Sequence, residues 1–326
     1  MIESVHFRNF KVLRDATLPL SRFTLIVGPN GSGKSTALQA LLAVKNPPAP
    51  STVAAAGLAT TEYAVEIVIQ WGAPHEGALS TAVWSSTRGF SLGHNSPNGG
   101  ALDAKLSKIR IYTLEAHVIA APVQLNPQME LAQNGGFFAG VLDHLRDQDP
   151  ERFDALNDEL GRWFPEFDKI LFDTPATGQR LFLLRTRRGH HKIPAANLSQ
   201  GTLLALTILT LGYLPDPPSL VGLEEPDRGI HPRLLRQIQD ALYRLSYPEN
   251  FGEKREPVQV VATTHSPYLL DLYRDHPEEI VIAHKINEGA RFERLSERPD
   301  IEEILENAPL GEVWYSGILG GVPAEQ

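Results

Sequence analysis

Apolar residues near the start recur at Ile2, Val5, Phe7 and Phe10, and a second alternating run from Val12 to Leu18 stops at Pro19. Short-period spacing closed by a proline predicts a small antiparallel pair. The pair feeds FTLIV at 23–27, a mainly apolar run that reads as a buried strand. TALQALLA at 36–43 then reads as the start of a helix. NPPAP at 46–50 and the small residues up to 60 mark a loop or insertion boundary. Strands are predicted at 62–71, 78–86, 109–113 and 181–186, with HNSPNGG at 94–100 as a turn. Helices are predicted at 137–147, where positions 137, 138, 141, 142 and 145 form one apolar stripe, and at 151–164.

From residue 199 strands and helices alternate. A helix at 199–213 is stopped by Pro215, Pro217 and Pro218, and a buried strand follows at 220–223. Next come a helix at 232–246 with Pro232 in its first turn, a strand at 258–263 and a helix at 267–274. Strands at 280–283 and 291–294 and two short helices near Ile301 and Gly311 finish the chain. Such alternation implies an α/β protein with a mostly parallel sheet covered on both faces. No internal repeat and no sustained heptad is visible.

Composition narrows this picture. The chain has 326 residues, 42% hydrophobic and 21% charged, ordinary values for a folded domain. The longest apolar run, 203–214, is too short and too interrupted by Thr and Gly to span a bilayer. The first residues lack the basic and apolar regions of a secretory signal, so a cytoplasmic location is expected. The absence of cysteine excludes disulfides, thiolate zinc sites and cysteine nucleophiles. A net charge of −9 argues against a generic DNA-coating protein but leaves room for a local basic patch, and RTRRGHHK at 185–192 is the one conspicuous basic run. That run reads either as a solvated hairpin tip or as a loop that contacts nucleic-acid phosphates.

The chemistry concentrates in four places. GPNGSGKST at 28–36 matches the phosphate-loop pattern at every defined position, between a predicted strand and a predicted helix. In that motif, backbone N–H groups of Asn30, Gly31, Ser32, Gly33, Lys34, Ser35 and Thr36 surround a phosphate chain, Lys34 reaches the β- and γ-phosphates, and Ser35 ligates Mg²⁺. LVGLEEP at 220–226 brings two carboxylates to the end of a strand, the end that faces the phosphate loop in a doubly wound sheet. By position, Glu224 is assigned to the metal and Glu225 to the attacking water. LSQGT at 198–202 opens a helix, with Ser199 as N-cap and Gly201 permitting close backbone approach. TTHSP at 263–267 sets His265 at a strand end, where it can bond a γ-phosphate or position the water. DQD at 147–149 superficially matches a nuclease metal pair, but it lacks the preceding strand and glutamate.

The order of these motifs resembles an ABC-type ATPase head of the SMC/RecF-like class. The wording is closest to bacterial AAA-family ATPases related to OLD-family ATPases, through NFKVL at 9–13, LSQGT, EEPDRGIHP at 224–232, TTHSP, NGGFFAGVL at 134–142 and GEVWYSG at 311–317. The resemblance covers nearly the whole chain, most securely 1–45 and 195–270. It implies a P-loop NTPase fold in which a mostly parallel sheet is joined by an antiparallel N-terminal β lobe and a helical insertion. It also implies one ABC-type head over 1–326, with a nucleotide-binding core at 1–45 and 180–326 and an inserted β/helical lobe at 46–180.

The implied activity is hydrolysis of ATP with Mg²⁺, Lys34, Glu225 and His265 being the catalytic set and His265 a switch. Two copies would sandwich two ATP molecules in a head-to-head homodimer or higher oligomer, Ser199 and Gly201 acting on the partner's nucleotide and residues 227–230 crossing the interface. Other implied partners are a separate nuclease or effector protein, and DNA or RNA, with no membrane partner. The implied pathway is nucleic-acid surveillance such as phage defence; a RecF-like repair head and a transporter subunit are the alternatives, the latter disfavoured by the signature and the strand-rich first lobe. Two departures stand out: ABC transporter heads usually carry SGGQ where this chain has SQGT, and an Asp where it has Glu224. For the metal-sensing glutamine, Gln124 and Gln70 are both weak candidates.

Overall fold

The computed structural model describes residues 1–57, 62–127, 129–286 and 289–320, so the end of the predicted 46–60 loop lies outside the described residues. Ile2–Phe10 pairs antiparallel with Leu13–Pro19, as the alternation predicts. The apolar positions 2, 5, 7 and 10 are not strictly alternate, yet all four side chains are buried. A register shift between Ile2 and Ser4 brings Val5 to the inner face. Asn9 takes a left-handed φ of 59°, tolerated by its short side chain, just before the chain turns at Lys11 and Val12.

The chain divides into two compact units. The first comprises Met1–Ile111, Pro218–Glu225 and Ser246–Gln326; the second comprises Tyr112–Pro217 and Pro226–Leu245. The first unit holds two sheets. One is antiparallel, in the order Leu13–Pro19, Ile2–Phe10, Ala64–Trp71, Leu79–Ser85, Gly89–His94. The other runs Gly289–Arg294, Ile280–Ile286, Phe23–Val27, Gln259–Thr264, Leu220–Glu224, Ile109–Tyr112. Phe23–Val27, Gln259–Thr264, Leu220–Glu224 and Ile280–Ile286 are mutually parallel, and Gly289–Arg294 adds an antiparallel edge. Every residue of Phe23–Val27 and Gln259–Thr264 is buried, the polar Thr24, Gln259, Thr263 and Thr264 included, as in strands covered on both faces. Helix Lys34–Lys45 shares one core with both sheets through Ala37, Leu38, Ala40 and Leu41.

The turn predicted at 94–100 is present at 95–98, and it joins an edge strand, Gly89–His94, to a helix, Gly99–Ser107, neither of which the pattern predicts. Side-chain bonds rather than apolar pattern hold this region. Trp71 Nε1 donates to Ser80 Oγ (2.8 Å), Ser80 Oγ bonds His94 Nδ1 (2.7 Å), and His94 Nε2 bonds Asp103 Oδ1 (2.9 Å). The Ser–His–Asp order has the look of a nucleophilic triad, but Ser80 is fully buried, so its hydroxyl ties strands to helix instead.

In the second unit, helices Phe138–Gln148 and Pro150–Trp163 lie beside the strands Phe167–Asp173, Gln179–Thr186 and Lys192–Pro194. Phe138 meets Phe182 edge to face at 5.3 Å within that core. Among the described residues no helix is long and apolar enough to cross a membrane.

Candidate functional site

The phosphate loop joins the end of Phe23–Val27 to helix Lys34–Lys45. A side chain at Gly28 would meet the Ala283 carbonyl oxygen at 2.4 Å, so only glycine lets the loop leave the strand here. Gly33 caps the helix with a left-handed φ of 93°. Lys34 folds back over the loop, its Nζ donating to the carbonyls of Gly28 (2.8 Å) and Pro29 (3.0 Å). Burial pushes the Lys34 ammonium down to about 8, opposed by the charges of Glu225 and Glu224. Ser32 Oγ is buried and has no hydrogen-bond partner, while Asn30, Gly31 and Ser35 are exposed at the mouth. A buried cation, an unsatisfied buried hydroxyl and a helix N-terminus fit a phosphate chain.

Strands beside the loop supply the other groups. Leu220–Glu224 pairs with Gln259–Thr264, which pairs with Phe23–Val27, and the register sets Glu224 opposite Thr263. Glu225 follows with a left-handed φ of 45°. Its N–H donates to Thr263 at both the carbonyl oxygen (3.1 Å) and Oγ1 (3.2 Å). His265 Nε2 lies 3.8 Å from Glu225 Oε1. Burial, then the nearby Lys34 charge, lowers the His265 pKa below the usual histidine value, with Glu225 acting in the opposite direction. Both leading effects favour the neutral form of the ring. Lys34, Glu224, Glu225 and His265 thus gather at the C-terminal ends of three neighbouring strands, which brings two carboxylates, a cation and an imidazole beside the phosphate loop.

Thr263 was missed by sequence reasoning, because a threonine in a buried strand reads as an ordinary β-former. Its hydroxyl makes one of the two bonds that hold the Glu225 backbone in a conformation costing about 1–3 kcal/mol. Thr263→Val is expected to lower kcat about 5- to 10-fold, equivalent to about 1–1.5 kcal/mol for one hydrogen bond. KM for ATP should hold within about twofold and Thr263→Ser should restore the rate. A matched fall in binding, or no rescue by serine, would reduce Thr263 to a packing residue.

In the second unit, Ser199 caps helix Gln200–Leu211, its Oγ accepting from Thr202 N (3.1 Å). A side chain at Gly201 would meet the Gly229 carbonyl oxygen at 2.7 Å, so the 227–230 loop runs directly against the helix start. Arg228 anchors that loop by donating to the Leu114 carbonyl (3.1 Å). Neither glutamine candidate acquires a role: Gln70 bonds Glu3 and Ser4, and Gln124 pairs with Gln179 in the second unit. Asp149 caps helix Pro150–Trp163 and Asp147 pairs with Arg146, so both carboxylates of the DQD run have structural partners.

Comparison with known proteins agrees with this geometry. Residues 1–70 match the family described as "AAA ATPase domain". Residues 97–271, more than half of the chain, match the family described as "AAA domain, putative AbiEii toxin, Type IV TA system". The chain belongs to this AAA family. As an AAA ATPase it binds and hydrolyses ATP.

Its fold is that of an SMC head. The SMC head bound to the C-terminal winged-helix domain of ScpA aligns with 14% identity and a TM-score of 0.63, covering 92% of this chain and 99% of that one. The SMC head with an extended coiled coil, bound to the ScpA C-terminal domain derived from Pyrococcus furiosus, aligns with 12% identity and a TM-score of 0.59, covering 94% and 99%. An OLD nuclease of Thermus scotoductus is 49% identical over 41 residues, 13% of this chain and 8% of that protein. These likenesses show the fold of an SMC head and a local similarity to an OLD nuclease of which the chain spans less than a tenth.

Proposed function

We propose that this ATPase is a cytoplasmic, ATP-switched head whose self-association directs a nucleic-acid process. The observation that carries the reading is the convergence of Lys34, Glu224, Glu225 and His265 beside the phosphate loop. Lys34 and the backbone N–H groups of 30–36 hold the triphosphate. Ser35 and Glu224 hold Mg²⁺, which when bound neutralises charge on the phosphate oxygens. Glu225 Oε1 accepts the proton of the attacking water, and neutral His265 bonds the γ-phosphate or the same water. Glu224 would hold the ion with a side chain one methylene longer than the aspartate usual at this place in ABC transporter heads.

In the proposed dimer, Ser199 and Gly201 meet the partner's nucleotide. The exposed cap of a helix N-terminus backed by the 227–230 loop supports this. Ser199→Arg is expected to leave ATP binding by the monomer within about threefold of the parent and to remove ATP-dependent dimerisation. Light scattering with ATP and Mg²⁺ reads the mass, and intact assembly would sink the trans role.

The OLD relationship supports phage defence with a separately encoded effector nuclease, since the DQD carboxylates are committed to a cap and an ion pair. A RecF-like repair head that binds DNA directly is the second reading, favoured by the exposed basic hairpin. Co-purification separates them: a nuclease favours defence and bound DNA favours repair.

A further inference from the structure

Charge is unevenly spread along this acidic chain. Residues 162–192 carry seven Lys and Arg against three Asp and Glu, a local +4 within a total of −9. The fold concentrates this further. Lys192 stands opposite Arg185 on one side, and Lys169 stands opposite Arg185 on the other, in three adjacent strands. Directly opposed residues share a face, and adjacent strands lie about 4.8 Å apart, so the three cations form a row about 10 Å long. One acid answers it: Asp168 takes both bonds from Arg185, at 2.8 and 3.0 Å. Lys169, Arg188 and Lys192 are exposed, and among the described residues none of them enters an ion pair. Like charges set directly opposite one another destabilise a sheet, so folding alone gives no reason for the row.

The hairpin tip is held rather than loose. Arg187 donates to the carbonyls of Pro165 (3.0 Å), Gly161 (3.4 Å) and Phe167 (3.4 Å). Thr186 Oγ1 donates to the Arg188 carbonyl (2.8 Å) and accepts from His191 N (2.9 Å). A held tip loses little freedom on binding. It presents Arg188 with the exposed rings of His190 and His191, the side-chain types that grip phosphates and stack on bases. A lipid surface fits less well, because the RRGHH tip offers no apolar side chain to insert.

We propose that the hairpin formed by Gln179–Thr186 and Lys192–Pro194, with Lys169 beside it, binds the phosphate backbone of nucleic acid. This rests on the nucleic-acid reading above and adds the surface that carries it. The test uses the full chain, a fluorescein-labelled single-stranded DNA, its duplex and vesicles of anionic lipid. The parent should bind DNA with an affinity that falls as salt rises. Lys169→Glu with Lys192→Glu should weaken binding about tenfold and lower the salt slope by about 1.4 for the single strand. Glutamates opposite Arg185 should preserve or raise the melting temperature, so loss of binding would not reflect unfolding. Arg88→Glu with Lys254→Glu, the same charge change on exposed residues elsewhere, should hold affinity within about twofold. If the parent binds DNA and both pairs weaken it equally, the hairpin assignment fails while the nucleic-acid reading stands. If the parent binds neither DNA form, that reading and this proposal fall together, and binding to vesicles alone would assign the row to a membrane surface.

Discussion

Lys34→Ala is expected to weaken ATP binding at least 100-fold at pH 7, because it removes charge-assisted bonds worth about 1.5–3 kcal/mol each. Nothing else in the loop can substitute, since Lys34 Nζ is the buried cation that already spans the Gly28 and Pro29 carbonyls. The same side chain predicts a pH dependence. Its folded value of about 8 lies below the ordinary 10.5, so the unfolded chain binds more protons between those values, and this group adds stability to the free protein as pH rises through that window. Nucleotide binding should run the other way. The ammonium that phosphates attract is lost above pH 8, so ATP affinity should decline there, and binding near pH 8 should take up a proton. Calorimetry in two buffers of different ionisation enthalpy would detect the uptake, and Lys34→Ala should abolish it. A parent ATP-induced stabilisation of about 2.7 kcal/mol at 100-fold excess over Kd should vanish in the variant. If the variant binds ATP within about threefold of the parent, Lys34 has no part in holding the phosphates.

The groups at this site were legible in the sequence because each belongs to a contiguous motif at a strand end, where a few residues determine both backbone and chemistry. GPNGSGKST carries its own glycines, and LVGLEEP carries its own apolar strand. What stayed hidden depends on distant residues. Gly201 reads as a small residue at a helix start, but its necessity comes from the Gly229 carbonyl 28 positions downstream. Thr263 becomes informative only once Glu225 is seen donating to it. Likewise, Gly89–His94 has too few apolar residues to announce a strand, and is held through His94 by Ser80 and Asp103. The partner strand Phe167–Asp173 escaped for another reason: a register shift where it pairs with Arg185 and Thr186 breaks the alternation that would have revealed it.

Glu225→Gln is expected to lower the rate of ATP hydrolysis about 10²–10⁴-fold, the range a positioned general base contributes. The substitution isolates charge from shape. Glutamine keeps the volume and the left-handed backbone that Thr263 holds, so stability should change little and nucleotide binding should survive. Two neighbouring charges then respond in a calculable direction. The Glu225 carboxylate raises the His265 pKa against burial and Lys34; without it the imidazole should hold its proton less readily. Parent hydrolysis should fall only at a pH below the ordinary histidine value, where His265 gains charge, and any residual hydrolysis in the variant should keep its rate to lower pH than the parent. Glu225 also raises the Lys34 pKa, so the substitution should lower it from about 8, and nucleotide binding is compared between parent and variant across the same pH series. If hydrolysis releases a sandwich dimer, the stalled variant should accumulate it. Light scattering should then show a higher mass with ATP and Mg²⁺ and the monomer mass without them. Hydrolysis at the parent rate would remove Glu225 from the base role. Stalled hydrolysis with a mass indifferent to ATP would keep that role and discard the ATP-driven dimer switch, leaving either a constitutive oligomer or a site that forms no sandwich.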